Sequence, residues 1–170
     1  MQWLHHTLDS VSRWLARVTA VIACITALAL VSSMLVGIFF RYVVQASLSW
    51  PEEVSLLLFT WTVFLAASLG VREDFHVRVT LLRDALPHRI SAWLERLLLL
   101  SVAGFGLAML WYGWAFAEFT AGQVSAAVRY PLWIRNAAVP VSGALILVHC
   151  AARLSDTTSC GGRPAIGATP

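Results

Sequence analysis

The sequence predicts an all-α membrane protein: four transmembrane helices with both termini in the cytoplasm, an N-terminal amphipathic interfacial helix and an amphipathic cytoplasmic loop. Three observations predict it. Hydrophobic residues make up 59% of the 170-residue chain and charged residues only 12%, about half of what a soluble domain usually carries. Four long runs contain no charged residue. The arginines, which supply all of the positive charge because there is no lysine, crowd into alternate connections.

The first run, Val18 to Phe40, is 23 residues long without a charge, and ~20 apolar residues suffice to cross ~30 Å of hydrocarbon. A cleaved signal peptide would need a shorter apolar core and a small-x-small cleavage site, so the segment is expected to stay in the mature protein. Val54 to Val71 and Leu97 to Ala117 give 18 and 21 uncharged residues, long enough to span with every backbone group satisfied inside the helix. The fourth run, Ala137 to Ala152, has 16. It reaches spanning length with its flanks, over about 132–154, and Pro140 then falls near the first turn, where a missing donor is tolerated. The expected spans are thus about 18–40, 54–71, 97–117 and 132–154, within a transmembrane domain of 18–152.

Arginines set the orientation, since basic short loops are retained in the cytoplasm. Nine lie on one side: Arg13, Arg17, Arg72, Arg78, Arg83, Arg89, Arg96, Arg153 and Arg163. Three lie on the other: Arg41, Arg129 and Arg135. The termini and the middle loop are therefore expected in the cytoplasm, and the first and third loops outside. Arginine scattered between apolar runs, with no single basic patch, also argues against a nucleic-acid partner.

Residues 1–17 repeat Leu4, Leu8, Val11 and Leu15 at helical spacing, with His5, His6, Asp9, Arg13 and Arg17 opposite and Trp3 and Trp14 on one rim. That pattern suits a helix lying in the cytoplasmic headgroup layer; a plain cytoplasmic extension of helix one is the alternative. The middle loop interleaves Val77, Val79, Leu81, Leu82, Leu86, Ile90, Trp93 and Leu94 with charges, and is expected to rest on the membrane or a partner. Pro87 suits the first turn of a short amphipathic helix running into helix three. The tail 155–170, rich in Gly, Ser, Thr and Pro, is expected to be disordered and cytoplasmic.

Residues that carry chemistry are sparse. Ionisable groups inside spans are expensive and mark function, yet the uncharged runs hold only His149, about one turn from the cytoplasmic end and expected to reach the headgroups. No facing histidines for haem, no paired carboxylates and no paired thiols occur, and Cys24, Cys150 and Cys160 have no metal-ligand spacing. The sequence therefore predicts no enzyme, no cofactor and no metal. Polar residues gather instead at span ends: Arg41-Tyr42, Ser49-Trp50-Pro51-Glu52-Glu53, and Arg72 to Val79 with His76. Ser49 and Glu52 have capping-box spacing. The second carboxylate, with Arg41 and Trp50 in one short outward loop, goes beyond a cap and points to an ion-paired corner or a docking surface. Helix two adds Phe59, Trp61 and Phe64, suited to packing against either a partner or its own bundle.

These residues resemble the small membrane subunit of tripartite ATP-independent periplasmic (TRAP) transporters, the DctQ-like family. In that family an Arg-Tyr pair closes helix one, a Trp-x-Glu-Glu element opens helix two, a tryptophan follows, and an arginine-rich exit leads to His-x-x-Val. Here these are Arg41-Tyr42, Trp50 to Glu53, Trp61, Arg72, and His76 to Val79. A Pro-x-Trp element and a Pro-x-x-Gly element follow as Pro131 to Trp133 and Pro140 to Gly143. The resemblance covers roughly residues 15–152, departing at Thr80 and at Val128-Arg129-Tyr130.

It implies a scaffold subunit in the bacterial inner membrane. Its partners would be a large many-span subunit holding the substrate and sodium sites and moving as an elevator, a periplasmic solute-binding protein delivering a small organic acid, and membrane lipids. Arg41, Tyr42, Trp50, Glu52, Glu53, Trp61, Arg72, His76, Arg129 and Trp133 become candidate partner-contact or structural interface residues. A stand-alone four-helix exporter or sensor component is the alternative.

Overall fold

Residues 2–46, 48–73 and 88–159 are described by the computed structural model. They form α1 (Gln2–Tyr42), α2 (Trp50–Glu73), α3 (His88–Phe119), the one-turn α4 (Trp133–Asn136) and α5 (Ala138–Ser159). Among the described residues four stretches are long and apolar enough to cross a membrane: Ser12–Tyr42, Trp50–Val71, Arg96–Phe119 and Trp133–Arg153. The chain is a multi-pass membrane protein.

The N-terminal segment departs from the expected layout. Residues 2–17 are no separate helix; they are the first turns of a 41-residue α1. No glycine or proline occurs before Gly37, so nothing in the chain breaks the helical backbone. At 1.5 Å per residue α1 is about 60 Å long, roughly twice the hydrocarbon thickness. α3 likewise starts at His88, ahead of its apolar stretch. Of the tail 155–170, expected to be disordered, residues 155–159 continue α5 to Ser159; the rest of the tail, 160–170 with Cys160, and the rest of the amphipathic loop, residues 74–87, lie outside the described residues.

α1 and α2 form an antiparallel pair joined by small hydroxyl side chains. Thr62 Oγ1 donates to Thr26 Oγ1 at 3.0 Å, and Ser55 Oγ donates to Ser33 Oγ at 3.2 Å. Seven residues forward on α1, from 26 to 33, match seven back on α2, from 62 to 55, the two-turn repeat of helices crossing at a shallow angle. The pair continues to Pro51, which is fully buried; its carbonyl accepts from Ser33 Oγ at 3.2 Å, and its ring faces Gly37.

α5 is the central element. It packs against α3 along its length, against α2, and against the N-terminal half of α1. Leu99, Ile146 and Cys150 are buried together, with Val71, Val102, Ala103 and Met109 around them. Glycine makes the α3–α5 approach possible. A Cβ on Gly143 would lie 2.8 Å from both the Gly106 carbonyl oxygen and the Leu110 nitrogen, and one on Gly113 would lie 3.0 Å from the Pro140 ring. In lipid, where burial gives helices little drive to associate, such close contact supplies the attraction.

His149 also departs from expectation. It is fully buried, and its Nδ1 lies 2.9 Å from Ser12 Oγ across the α1–α5 seam. Because α1 runs unbroken through residues 12–17, it covers a histidine expected to reach the headgroups.

The glycine contacts generate a paired prediction. Gly143→Leu should lower the apparent Tm of the detergent-solubilised protein by several degrees, since forced overpacking costs about 1–3 kcal/mol. Gly104→Ala, where an added Cβ meets nothing within 4 Å, should leave it near the wild-type value. Equal midpoints for the two variants would contradict the packing described.

Candidate structural and partner-contact site

At the end of the bundle where α1 and α3 stop, two connections meet. α1 ends at Tyr42 and α2 begins at Trp50, and between them Gln45 stands at φ 56°. α3 ends at Phe119, where Thr120 Oγ1 donates back to the carbonyls of Phe116 and Ala117. A short antiparallel hairpin follows: Ser125 N donates to the Tyr130 carbonyl at 3.0 Å, and Leu132 N donates to the Gln123 carbonyl at 2.9 Å. Val124 and Pro131 face each other across it. Its tip turns through Arg129 at φ 58°, the left-handed region that few side chains enter.

The two adjacent carboxylates at the start of α2 separate their work. Glu52 Oε1 accepts from Arg41 Nη2 at 3.1 Å, tying α2 to the end of α1. Glu53 reaches the hairpin instead: Oε2 accepts from Ser125 Oγ at 2.7 Å and Val128 N at 2.9 Å, and Oε1 accepts from Ala127 N at 2.8 Å. Successive amides converging on one carboxylate make an anion nest. The capping-box reading of Ser49 and Glu52 is thereby corrected, because the Glu52 carboxylate faces Arg41 and not the helix start. Opposite charge 3.1 Å away is a better partner for it than an amide that water can reach.

Further inward, Trp61 Nε1 donates to the Ile134 carbonyl at 3.1 Å, joining α2 to α4. Buried Asn136 donates through Nδ2 to Thr120 Oγ1 at 2.8 Å, joining α4 to the end of α3. Glu52, Glu53, Trp61 and Asn136 thus lock four elements with charged or polar groups satisfied inside the chain. The Trp133 ring takes no part in these bonds. With Trp114 it walls a groove of about 550 Å³ floored by Ala117, Ala137, Pro140 and Ala144, with Glu118 among its lining residues.

The predicted residues therefore divide. Arg41, Glu52, Glu53 and Trp61 are brought into one bonded corner. Tyr42, Trp50 and Trp133 keep large exposed surfaces near it, and Arg129 is exposed at the hairpin tip. Arg72 belongs to the last turn of α2, at the opposite end, and His76 lies outside the described residues. Sequence reading missed Ser125, Ala127, Val128 and Asn136; only Asn136, an amide beside an apolar run, carried a visible signal. Among the described residues no group of three or more His, Cys, Asp or Glu is placed to hold a metal ion.

Residues 30–159 match the family described as tripartite ATP-independent periplasmic transporters, DctQ component. A candidate TRAP transporter small permease protein of Haemophilus influenzae is 42% identical over 67 residues, 39% of this chain and 42% of that protein. The C4-dicarboxylate TRAP transporter small permease protein DctQ of Rhodobacter capsulatus is 27% identical over 106 residues, covering 59% of this chain and 45% of that one. The isethionate TRAP transporter permease protein DctMQ of Oleidesulfovibrio alaskensis is 28% identical over 110 residues, 61% of this chain and 17% of that much longer one. The chain spans less than half the length of each of these three relatives.

The Arg41–Glu52 pair is exposed on both sides, and exposed pairs contribute roughly 0.2–1 kcal/mol. A double-mutant cycle with Arg41→Ala and Glu52→Ala, read by thermal unfolding at two salt concentrations, should give a coupling in that range that shrinks at high salt. A larger, salt-insensitive coupling would contradict the open geometry.

Proposed function

Because the chain belongs to the DctQ component family of tripartite ATP-independent periplasmic transporters, a family of transport proteins and not of enzymes, we propose that it is the stationary small subunit of such a transporter. In this reading it sits in the bacterial inner membrane with both termini in the cytoplasm and braces a larger, ion-coupled elevator subunit. A periplasmic solute-binding protein delivers a small organic acid to the assembly. The names of the relatives support the substrate class, since C4-dicarboxylates and isethionate are both small organic anions. The partner is supported by the DctMQ permease, in which the matched stretch is only 17% of the chain.

The observation that carries the scaffold reading is how the bundle uses its polar groups. Thr26 with Thr62, Ser33 with Ser55, Asn136 with Thr120, and Ser12 with His149 each bond across helices. Polar side chains committed to holding helices together do not line a path for an ionic substrate. What the spans present outward is apolar, including Ile22, Ile25, Leu28, Val31 and Leu35 on α1 and Phe105, Trp111 and Trp114 on α3, suited to lipid and to a membrane partner.

Orientation follows from the nine-to-three arginine asymmetry, which puts the Glu52–Glu53 corner and the hairpin on the periplasmic side. There Tyr42, Trp50, Arg129 and Trp133 are available to meet the binding protein or the large subunit. At the other end, the first turns of α1, with Trp14 and Arg13 exposed, meet the cytoplasmic headgroups.

Two measurements test this. In a variant lacking Cys24, Cys150 and Cys160, Ala126→Cys should react with a membrane-impermeant maleimide in intact cells, while Arg13→Cys should react only after lysis; the reverse pattern would overturn the orientation. In proteoliposomes, uptake of the organic acid should require this chain, the large subunit and the binding protein together. Uptake by the large subunit and binding protein alone, at the full rate, would overturn the scaffold role.

A further inference from the structure

Glu52 and Glu53 differ in one respect that the family reading leaves unassigned: the Glu53 carboxylate is engaged within the chain by residues 72 to 75 positions away. Three donors surround it, Ser125 Oγ at 2.7 Å, Ala127 N at 2.8 Å and Val128 N at 2.9 Å, shared between both oxygens. Charge-assisted bonds to convergent amides are the strong class of hydrogen bond. Within the hairpin two backbone bonds cross between its arms, and its tip is exposed, with Val124 and Val128 facing outward. Arg129 adds a left-handed backbone at φ 58°, a conformation that persists in a non-glycine residue only where its surroundings impose it. The amide of Val128, next in the chain, is bonded to Glu53. The carboxylate is therefore placed to impose it.

We propose that Glu53 is a positioning residue: its carboxylate latches the hairpin 123–132 to the start of α2 and thereby fixes the periplasmic surface that carries Arg129. This rests on the periplasmic docking reading given above. It assigns Glu53 a role through the hairpin, not a contact with the binding protein. Because Glu52 holds α1 on the same helical turn, the latch makes one rigid corner of the connections after α1 and α3. A force or contact at the hairpin tip is then passed to α2 and, through Trp61 and the Ile134 carbonyl, to α4.

The test uses the complex of this chain with its large subunit in lipid nanodiscs, read by hydrogen–deuterium exchange and by surface plasmon resonance with the solute-binding protein. Glu53→Ala should raise exchange of the Ala127 and Val128 amides at least about tenfold and weaken docking severalfold. Glu53→Gln, which keeps acceptor oxygen, should fall between. Glu52→Ala should leave that exchange unchanged. Arg129→Asn, which keeps a left-handed-tolerant residue and removes the cation, should weaken docking with no change in exchange. Unchanged exchange in Glu53→Ala would overturn the latch, whatever docking does. Raised exchange with wild-type docking would overturn the positioning role. If the wild-type complex fails to bind the solute-binding protein, the docking reading itself falls, and the exchange result still decides the latch.

Discussion

Hydrocarbon offers a polar group no water to bond, so every hydroxyl, amide or ring nitrogen carried into the membrane needs a partner within the protein. The architecture depends on that constraint. Thr26 and Thr62, Ser33 and Ser55, and Ser12 and His149 bond one another across helices, and their positions set the register in which the helices stand. Glycine then sets their distance: Gly106, Gly113 and Gly143 let α3 and α5 approach until backbone meets backbone. A bundle built this way has polar seams and apolar outer faces, the reverse of a channel, and it suits a component that holds another protein still.

Where the chain leaves hydrocarbon the constraint relaxes, and charge takes over. Arg41, Glu52 and Glu53 lie where α1 ends and α2 begins: Arg41 and Glu52 pair with each other, and Glu53 bonds to the hairpin. The exposed Arg41–Glu52 pair contributes little stability, whereas Glu53 fixes a hairpin whose tip is exposed. Adjacent residues of the same type thus carry different duties, one joining helices and one shaping a loop.

Much of this was legible in the sequence, and the failures have physical causes. Uncharged runs pointed to the four long apolar helices found among the described residues, because transfer to hydrocarbon is decided by composition over a window of residues. Helix ends were less legible: α1 continues to Gln2 because nothing breaks it, although its polarity changes at Arg17. The His149 environment was misjudged for the same reason, since burial there depends on how far another helix extends. The Arg41 and Glu52–Glu53 cluster stood out by composition. Its bonds did not, because Ser125, Ala127 and Val128 contribute mainly backbone amides, which every sequence contains and which only a folded turn gathers to one point.

The claim that organises all of these features is that the chain acts as part of a larger assembly. It is tested most directly by extracting the tagged chain from native membranes in mild detergent and weighing what comes with it by native mass spectrometry. The account predicts a stoichiometric complex with a single many-span membrane protein. A stable, monodisperse species containing this chain alone would contradict it and favour a stand-alone exporter or sensor component.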